Sequence, residues 1–179
     1  MTIIGIDPGT IFTGFGVIKY HRNQLSLIDS GIIKTPAVKE MAPRLEAIYN
    51  ELSLLIRKYD PDAFALETAF YGKNVQSALK IGYARGVSML AAKHNNLDTA
   101  EYSPREVKKS VVGNGAASKE QVQYMIKKLL SIRKTKIKFD ETDALAVAIC
   151  HAFKLSSPLK TSGSWKKFIE ANPDKIISK

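Results

Sequence analysis

The 179 residues of this chain are 45% hydrophobic and 25% charged, with a formal net charge of +10, which is typical of a single basic globular domain. The single cysteine, Cys150, excludes an internal disulfide, and its apolar surroundings predict a buried core position. No apolar run approaches the roughly 18 residues of a membrane-spanning helix and no signal-peptide pattern is present, so we expect a cytoplasmic protein with no membrane partner.

The hydrophobic pattern predicts a mixed α/β fold. Short apolar or alternating runs indicate strands, and apolar residues at helical spacing indicate helices. The predicted strands are residues 2–7, 13–20, 24–34, 62–67 and 97–102, and the predicted helices are residues 43–59, 74–93, 104–110, 119–130 and 140–155.

The order of these elements predicts the topology. Three strands in quick succession form an antiparallel meander, and helical crossovers then place the first, fourth and fifth strands parallel, with helices on both faces of the sheet. We expect residues 1–155 to form one domain. Residues 156–179 are expected to be a basic, flexible tail.

Local signals mark several of the helix ends. Pro43 is expected to begin the first long helix, where a missing N–H costs little, and Asp60-Pro61 ends it. Ser118 and Gln121, three residues apart, form a capping-box signature for the helix that starts at residue 119.

The positive charge is concentrated in two segments. Residues 103–138 hold ten basic and two acidic side chains, and residues 154–179 hold six basic and two acidic ones. This segregation favours a polyanion partner such as a nucleic acid over a merely solvated, lysine-rich surface.

Four acidic residues are predicted to meet at one edge of the sheet. Asp7 and Glu67 end the first and fourth strands, which run parallel, and Asp140 and Asp143 share a face of a helix's first turn. Each has an alternative interpretation: Asp7 could start a turn, Glu67 could face solvent, Asp140 could be an N-cap, and Asp143 could be a surface acid near the helix dipole.

Such a cluster would be strongly repulsive without a bound cation. Oxygen ligands without histidine or cysteine favour Mg²⁺ or Mn²⁺ over Zn²⁺. An acidic metal site beside a basic surface favours phosphodiester chemistry, in which two ions can activate water and stabilise the leaving oxygen. Asp7 would then bridge the metals from a rigid strand, and Pro8-Gly9 would keep the backbone clear of the substrate.

Long motifs follow one another in order over about residues 2–154. They are IIGIDPGT followed by TGFGVI, FALE with F-x-x-KN, SALKIGYARG, YSPREVKKSVVGNGAASKEQVQYM and DETDALAVAICH. Together they resemble the RuvC family of Holliday-junction resolvases. The resemblance implies a ribonuclease H-like fold and a homodimer. It also implies Mg²⁺-dependent paired nicks in four-way DNA junctions, and a branch-migration motor as partner.

The resemblance also implies roles for individual residues. Asp7, Glu67, Asp140 and Asp143 resemble the family's metal-binding catalytic acids, with two Mg²⁺ per site, and Mn²⁺ could substitute. Positions resembling DNA-contacting residues are Phe70, Lys73, Asn74, Arg105, Lys108 and Lys119. Lys119 at a helix N-terminus can also stabilise charge at the phosphorus, and Phe70 can stack on an unpaired base, unless it is a core aromatic.

The chain departs from the family pattern at two positions. Tyr83 stands where the family often has glutamine. Some members carry histidine at the position matching Asp140, which makes that residue the least secure of the four ligands.

Gly82 and Gly86 lie four residues apart in the second predicted helix. This spacing puts both glycines on one helix face, where backbones can approach closely. We expect this face to pack against its copy across a two-fold axis. The alternative is close packing of the same face against the chain's own sheet.

Three other functions fit parts of the sequence. An actin-like sugar kinase or ATPase would share the GIDPGT turn, although the second turn that it needs is missing at a suitable distance. A ribonuclease acting on structured RNA or hybrids could use the same fold. A non-catalytic junction-binding module is disfavoured because all four acids are present.

Overall fold

The computed structural model describes residues 1–68, 75–133 and 136–156. Every predicted helix and strand is present in this part of the chain, with bounds within two residues of those expected. The elements are β1 (Thr2–Asp7), β2 (Phe12–His21), β3 (Gln24–Lys34), α1 (Met41–Tyr59), β4 (Ala63–Glu67), α2 (Val75–His94), β5 (Thr99–Tyr102), α3 (Pro104–Val112), α4 (Lys119–Leu129) and α5 (Phe139–Ser156).

The five strands form one mixed sheet in the order β3-β2-β1-β4-β5. β1, β2 and β3 pair antiparallel, whereas β1, β4 and β5 pair parallel. The β2–β3 connection is a two-residue turn in which Arg22 and Asn23 both have positive φ, of 48° and 63°, as hairpins with right-handed twist prefer. This topology confirms the predicted arrangement of strands.

Helices cover both faces of the sheet, as predicted, and each face has its own core. Ile3 and Ile18 pack under α3, α4 and α5, whereas Ile4, Ile6 and Val17 pack under α1 and α2. Because side chains alternate along a strand, β1 is apolar on both sides. This pattern is typical of a strand at the centre of a covered sheet.

Glycines in β1 and β2 let α5 lie unusually close to the sheet. A Cβ at Gly5 or Gly14 would collide with the backbone oxygen of Ala144 or Asp140, and one at Gly16 would lie 2.6 Å from Leu145 Cδ2. α5 contains many small residues, and it is buried along most of its length. This close packing holds the first turn of α5 over the ends of the strands.

Two helix ends differ slightly from the sequence prediction. α1 begins at Met41, so Pro43 is its third residue, still within the first turn, where N–H groups have no intrahelical acceptor. α3 continues to Val112, two residues beyond the expected end, and stops where Gly113 adopts a left-handed conformation with φ 82°.

The described residues contain no helix long and apolar enough to cross a membrane. Of the predicted tail, the structure describes only Ser156, the last residue of α5. The rest of the tail, residues 157–179, lies outside the described residues.

Candidate active site

Strand register brings Asp7 and Glu67 to the same edge of the sheet. Ile6 pairs with Leu66 in the parallel ladder between β1 and β4, and the next residues along are the two acids. The two-residue alternation puts Asp7 on the same face as Gly5, and Glu67 on the same face as Ala65. This is the face that α5 covers, and both carboxylates are only partly exposed.

The first turn of α5 supplies Asp140 and Asp143. Asp140 is the second residue of this helix and not an N-cap, and its carbonyl oxygen rests against Gly14. The Asp143 side chain is 15% exposed. The turn is tied to the sheet by Ser30 in β3, whose hydroxyl donates a hydrogen bond of 2.7 Å to Glu141 Oε1.

The carboxylates share one electrostatic environment. Burial raises the pKa of Asp7 to about 7, and the charges of Asp143 and Asp140 contribute, while Lys119 opposes them. Burial likewise raises the pKa of Glu67 to about 8, with further contributions from Asp7 and Asp143. Both carboxyl groups resist ionisation at one sheet edge, first because they are buried and second because the neighbouring acids repel their negative charge.

Lys119 forms an ion pair with one of these acids. It is the first residue of α4, directly after the Ser118–Gln121 capping box that the sequence predicts. Its Nζ donates a hydrogen bond of 2.7 Å to Asp143 Oδ2. Burial lowers the pKa of this ammonium, but the bond to Asp143 and the nearby charges outweigh that effect, so its pKa is raised.

A cleft of 190 Å³ opens beside the carboxylates. Its charged lining residues are Glu67, Asp143, Lys108 and Lys119, and its floor is formed by Pro104, Val107, Val122 and Ala146. Acids from a strand and a helix thus face lysines from two further helices. A phosphate could contact the lysines of this cleft, and divalent cations bound to that phosphate could contact the acids.

The donor set at this edge fits a hard divalent cation. Four carboxylates from three elements offer only oxygen ligands, and the raised pKa values of Asp7 and Glu67 show that added positive charge would stabilise their ionised forms. Within the described ranges, no group of three or more acidic, histidine or cysteine side chains is already positioned to hold a metal ion. The Asp143 oxygen instead faces the Lys119 ammonium.

The other predicted DNA-contacting residues are placed differently. Arg105 lies at the start of α3 and lines a separate cleft of 380 Å³ with Ser103, Glu106, Lys109, Gly113, Asn114 and Gly115. Phe70, Lys73 and Asn74 lie outside the described residues, in the segment between Thr68 and α2.

The two glycines predicted at a dimer face are exposed on α2. No described atom of another element lies within 4 Å of a Cβ built at Gly82 or Gly86. The alternative that this face packs against the chain's own sheet is therefore wrong.

Sequence reasoning missed two aromatic side chains near the acids. Phe139, directly before Asp140, lies with its ring 6.0 Å from Lys119 Nζ, and Phe12 lies with its ring 5.6 Å from Lys138 Nζ. Both rings are substantially exposed. An aromatic residue between a basic segment and an acidic helix start is the signal that could have found Phe139.

The comparisons with known proteins point to one family. The family model described as "Crossover junction endodeoxyribonuclease RuvC" matches residues 3–151. A protein of that name from Cytophaga hutchinsonii is 44% identical over 174 residues, covering 97% of this chain and 87% of its relative. Another from Ruminiclostridium cellulolyticum is 48% identical over 151 residues, covering 84% of this chain and 91% of the other.

Solved structures show the same fold. Thermus thermophilus RuvC, solved in complex with a Holliday junction substrate, superimposes with a TM-score of 0.81 at 29% identity, covering 87% of this chain and 94% of that chain. The yeast mitochondrial Holliday junction resolvase has a TM-score of 0.60 at 12% identity, covering 84% and 78% of the respective chains, a likeness of fold alone. The resemblance seen in the sequence motifs is thus confirmed, and the chain belongs to the RuvC family of crossover junction endodeoxyribonucleases.

Proposed function

We propose that this chain resolves four-way DNA junctions by paired, symmetric nicks, using the carboxylates at the end of the sheet for metal-assisted phosphodiester hydrolysis. The single observation that carries this proposal is the cleft in which Glu67 and Asp143 face Lys108 and Lys119. Family membership supports the substrate, since Thermus thermophilus RuvC has been solved with a Holliday junction.

In this proposal Asp7, Glu67, Asp140 and Asp143 hold Mg²⁺, with Mn²⁺ as a substitute and two ions per active site. Two divalent ions held by these residues would supply an activated water and neutralise charge on the leaving oxygen. The chain's contribution is to hold the ligands on rigid elements: two strand ends and a helix turn that lies directly on Gly14. Such rigidity is what a preorganised site requires.

Lys119 is proposed to act on the reacting phosphate. Its ammonium sits at a helix N-terminus, 2.7 Å from Asp143, so it can donate to a phosphate oxygen beside the metal ligands. Lys108 lines the same cleft and lowers the pKa of Glu67, which indicates that it too lies near the site. Arg105 lies in the neighbouring cleft and is proposed to anchor the DNA backbone farther along.

The roles of Phe70, Lys73 and Asn74 remain proposals that rest on the family resemblance. Their segment directly follows β4, the strand that carries Glu67. A ring there can stack on an unpaired base at the opened junction centre. The basic residues 157–179 are proposed to add non-specific attraction to the DNA.

A homodimer is proposed through α2. Its exposed face carries Val75, Leu79, Tyr83 and Leu90, together with Gly82 and Gly86. These positions recur every three to four residues, so they form one continuous apolar stripe. Isologous packing of that stripe would give the two-fold symmetry that two equivalent nicks require.

The branch-migration motor and a cytoplasmic location complete the proposal. Both rest on family membership and on a substrate made of DNA. Among the described residues no surface is assigned to the motor.

Cleavage of three labelled substrates tests the proposed function: a synthetic four-way junction, a linear duplex of the same sequence, and an RNA–DNA hybrid. The proposal expects paired nicks in the junction alone, lost on chelation of Mg²⁺ and absent in Asp7→Asn. Preferred cleavage of the hybrid would instead favour a ribonuclease on this fold. Stabilisation by ATP with no cleavage would favour the kinase-like alternative.

A further inference from the structure

Two pairs of aromatic and cationic side chains lie at the first turn of α5, the turn that carries Asp140 and Asp143. We call Phe12, Lys138, Phe139 and Lys119 the aromatic–lysine strip. Lys138 Nζ lies 5.6 Å from the ring centroid of Phe12, and Lys119 Nζ lies 6.0 Å from that of Phe139. The two phenylalanines are 45% and 38% exposed, although large apolar side chains usually avoid water.

The strip is continuous with the candidate metal site. At one end, Lys119 is bonded to Asp143. Phe139 directly precedes Asp140, whose carbonyl oxygen presses on Gly14 in the strand that begins at Phe12. A DNA strand whose phosphate lies among the carboxylates would have Lys119 and Phe139 close by, and Phe12 lies two residues before Gly14 on β2.

The composition of the strip matches a nucleotide better than an apolar partner. Exposed ring faces can stack on bases, and the ammonium groups beside them can contact phosphates. Lys34, which is exposed and pairs with Phe12 in the ladder between β2 and β3, adds further positive charge. The acids that interact with Lys119 are Asp143, Asp7 and Glu67, which belong to the proposed metal site, and Glu120, the next residue of α4. Glu141, two residues after Phe139, is hydrogen-bonded to Ser30.

We propose that the aromatic–lysine strip is a nucleotide-binding subsite. It takes an unpaired nucleotide adjacent to the cut phosphate, with the base on the ring of Phe139 and the following phosphate on Lys138 beside Phe12. The subsite holds the DNA strand in line with the metal ligands on the side of β2 and α5. This inference rests on the proposed function and adds a contact outside the acids and the α3 residues.

A fluorescent base analogue tests the subsite. Junctions carrying 2-aminopurine at single positions on either side of the cleaved phosphate are bound to protein in the Asp7→Asn background with Mg²⁺, so that binding proceeds without cutting. The fluorescence at one position is expected to be quenched by stacking. Phe139→Leu is expected to abolish that quenching and weaken junction binding about ten-fold, whereas Phe139→Tyr restores both.

Matched variants separate stacking from charge and from folding. Tyr124→Leu removes an exposed ring that also has a lysine beside it, Lys128 Nζ at 5.7 Å, and is expected to leave the quenching unchanged. Lys138→Met is expected to reduce the slope of log affinity against log salt by about 0.7–0.9, whereas Phe139→Leu leaves the slope unchanged. Equal melting temperatures exclude misfolding as the cause.

Two results overturn the subsite. One is quenching that survives in Phe139→Leu, and the other is a loss of affinity no greater than that of Tyr124→Leu. If the strip binds a protein partner instead, the same two results are expected, because neither phenylalanine would then affect DNA binding. A wild-type protein that neither binds nor cuts junctions would instead refute the proposed function, so the two failures are distinguishable.

Discussion

α5 and α2 lie on opposite faces of the same sheet and are used in opposite ways. α5 is buried along ten of its eighteen residues and rests on the glycines of β1 and β2. α2 is longer, yet only Ala84, Ser88, Ala91 and Ala92 are buried, and an apolar stripe stays exposed. The helix proposed to position catalytic ligands is buried by its own chain along more than half of its length, whereas the helix proposed to pack against a second copy is mostly left uncovered.

Gly14→Ala should break the seating of α5 and have the largest effect. The added Cβ would collide with the Asp140 backbone oxygen, which cannot move without shifting the whole first turn. We expect a loss of about 1–3 kcal/mol in the free energy of unfolding. We also expect cleavage to fall by at least about 100-fold, measured on the fraction that remains folded.

Gly31→Ala is the matched control for that change. Its Cβ would approach the Phe15 ring at 2.8 Å, a side-chain clash away from the carboxylates. This variant should lose stability but keep its cleavage rate per folded molecule. If Gly14→Ala cut junctions as well as Gly31→Ala, the seating of α5 on β2 would not be what positions Asp140.

Lys119→Ala tests whether the Lys119 ammonium, on the face of the sheet that α5 covers, acts on the reacting phosphate. We expect cleavage to slow by about 100-fold, because a positioned charge at the reacting centre is removed. Junction affinity should fall much less, by about ten-fold or below. Single-turnover cleavage and a binding titration, both on the same junction, separate the two effects. Equal losses in rate and affinity would reduce Lys119 to a phosphate anchor.

Gly86→Leu tests the α2 side of the comparison. A leucine there has open space within the monomer, since no described atom of another element lies within 4 Å of the built Cβ. The monomer should therefore stay folded, while a dimer formed by close approach of two α2 helices should dissociate. Sedimentation measures the change, and a stable, active Gly86→Leu dimer would place the interface elsewhere.

A further effect is expected on the pH dependence of stability without metal. The pKa values of Asp7 and Glu67 are raised in the fold to about 7 and about 8, so the folded chain holds more protons than the unfolded chain from about pH 4 to about pH 8. Stability should therefore fall as the pH rises through this window. Thermal unfolding in chelator measures this decline.

Asp7→Asn supplies the control for the pH experiment. It removes one buried charge and also relieves Glu67, whose pKa Asp7 helps to raise. Its melting temperature should decline less between about pH 5 and about pH 9 than that of the wild type, and Mg²⁺ should stabilise it less. Identical pH profiles would show that the raised pKa values of Asp7 and Glu67 do not determine how stability depends on pH.

Much of the fold could be predicted because periodicity and caps agreed in most segments. The capping box at Ser118 begins α4 as expected, and Asp60 ends α1 in a left-handed conformation before Pro61. β1 was predictable from its continuous apolar run, β2 from its alternation, and β3 from its position after the turn at Arg22-Asn23. Parallel pairing of β1 with β4 followed from the helical crossover between them.

The candidate site was predictable only as far as strand ends and helix starts determine it. The positions of Asp7 and Glu67 follow from the strand register, but the ion pair between Lys119 and Asp143 joins two helices, and no local pattern predicts it. The close contact of Gly14 with Asp140 is likewise a property of packing. For α2 the sequence left two placements of its glycine face open, because apolar residues occur on more than one side of the helix.

The most direct test of the whole account compares the wild type with Asp143→Asn on a four-way junction, each with Mg²⁺ and with chelator. The account predicts paired nicks only for the wild type with Mg²⁺, with cutting by the variant reduced on the order of 1,000-fold while it binds the junction with near-normal affinity. Cutting by Asp143→Asn at close to the wild-type rate, or cutting by the wild type in chelator, would contradict the claim that these carboxylates hold metal ions against a DNA phosphate.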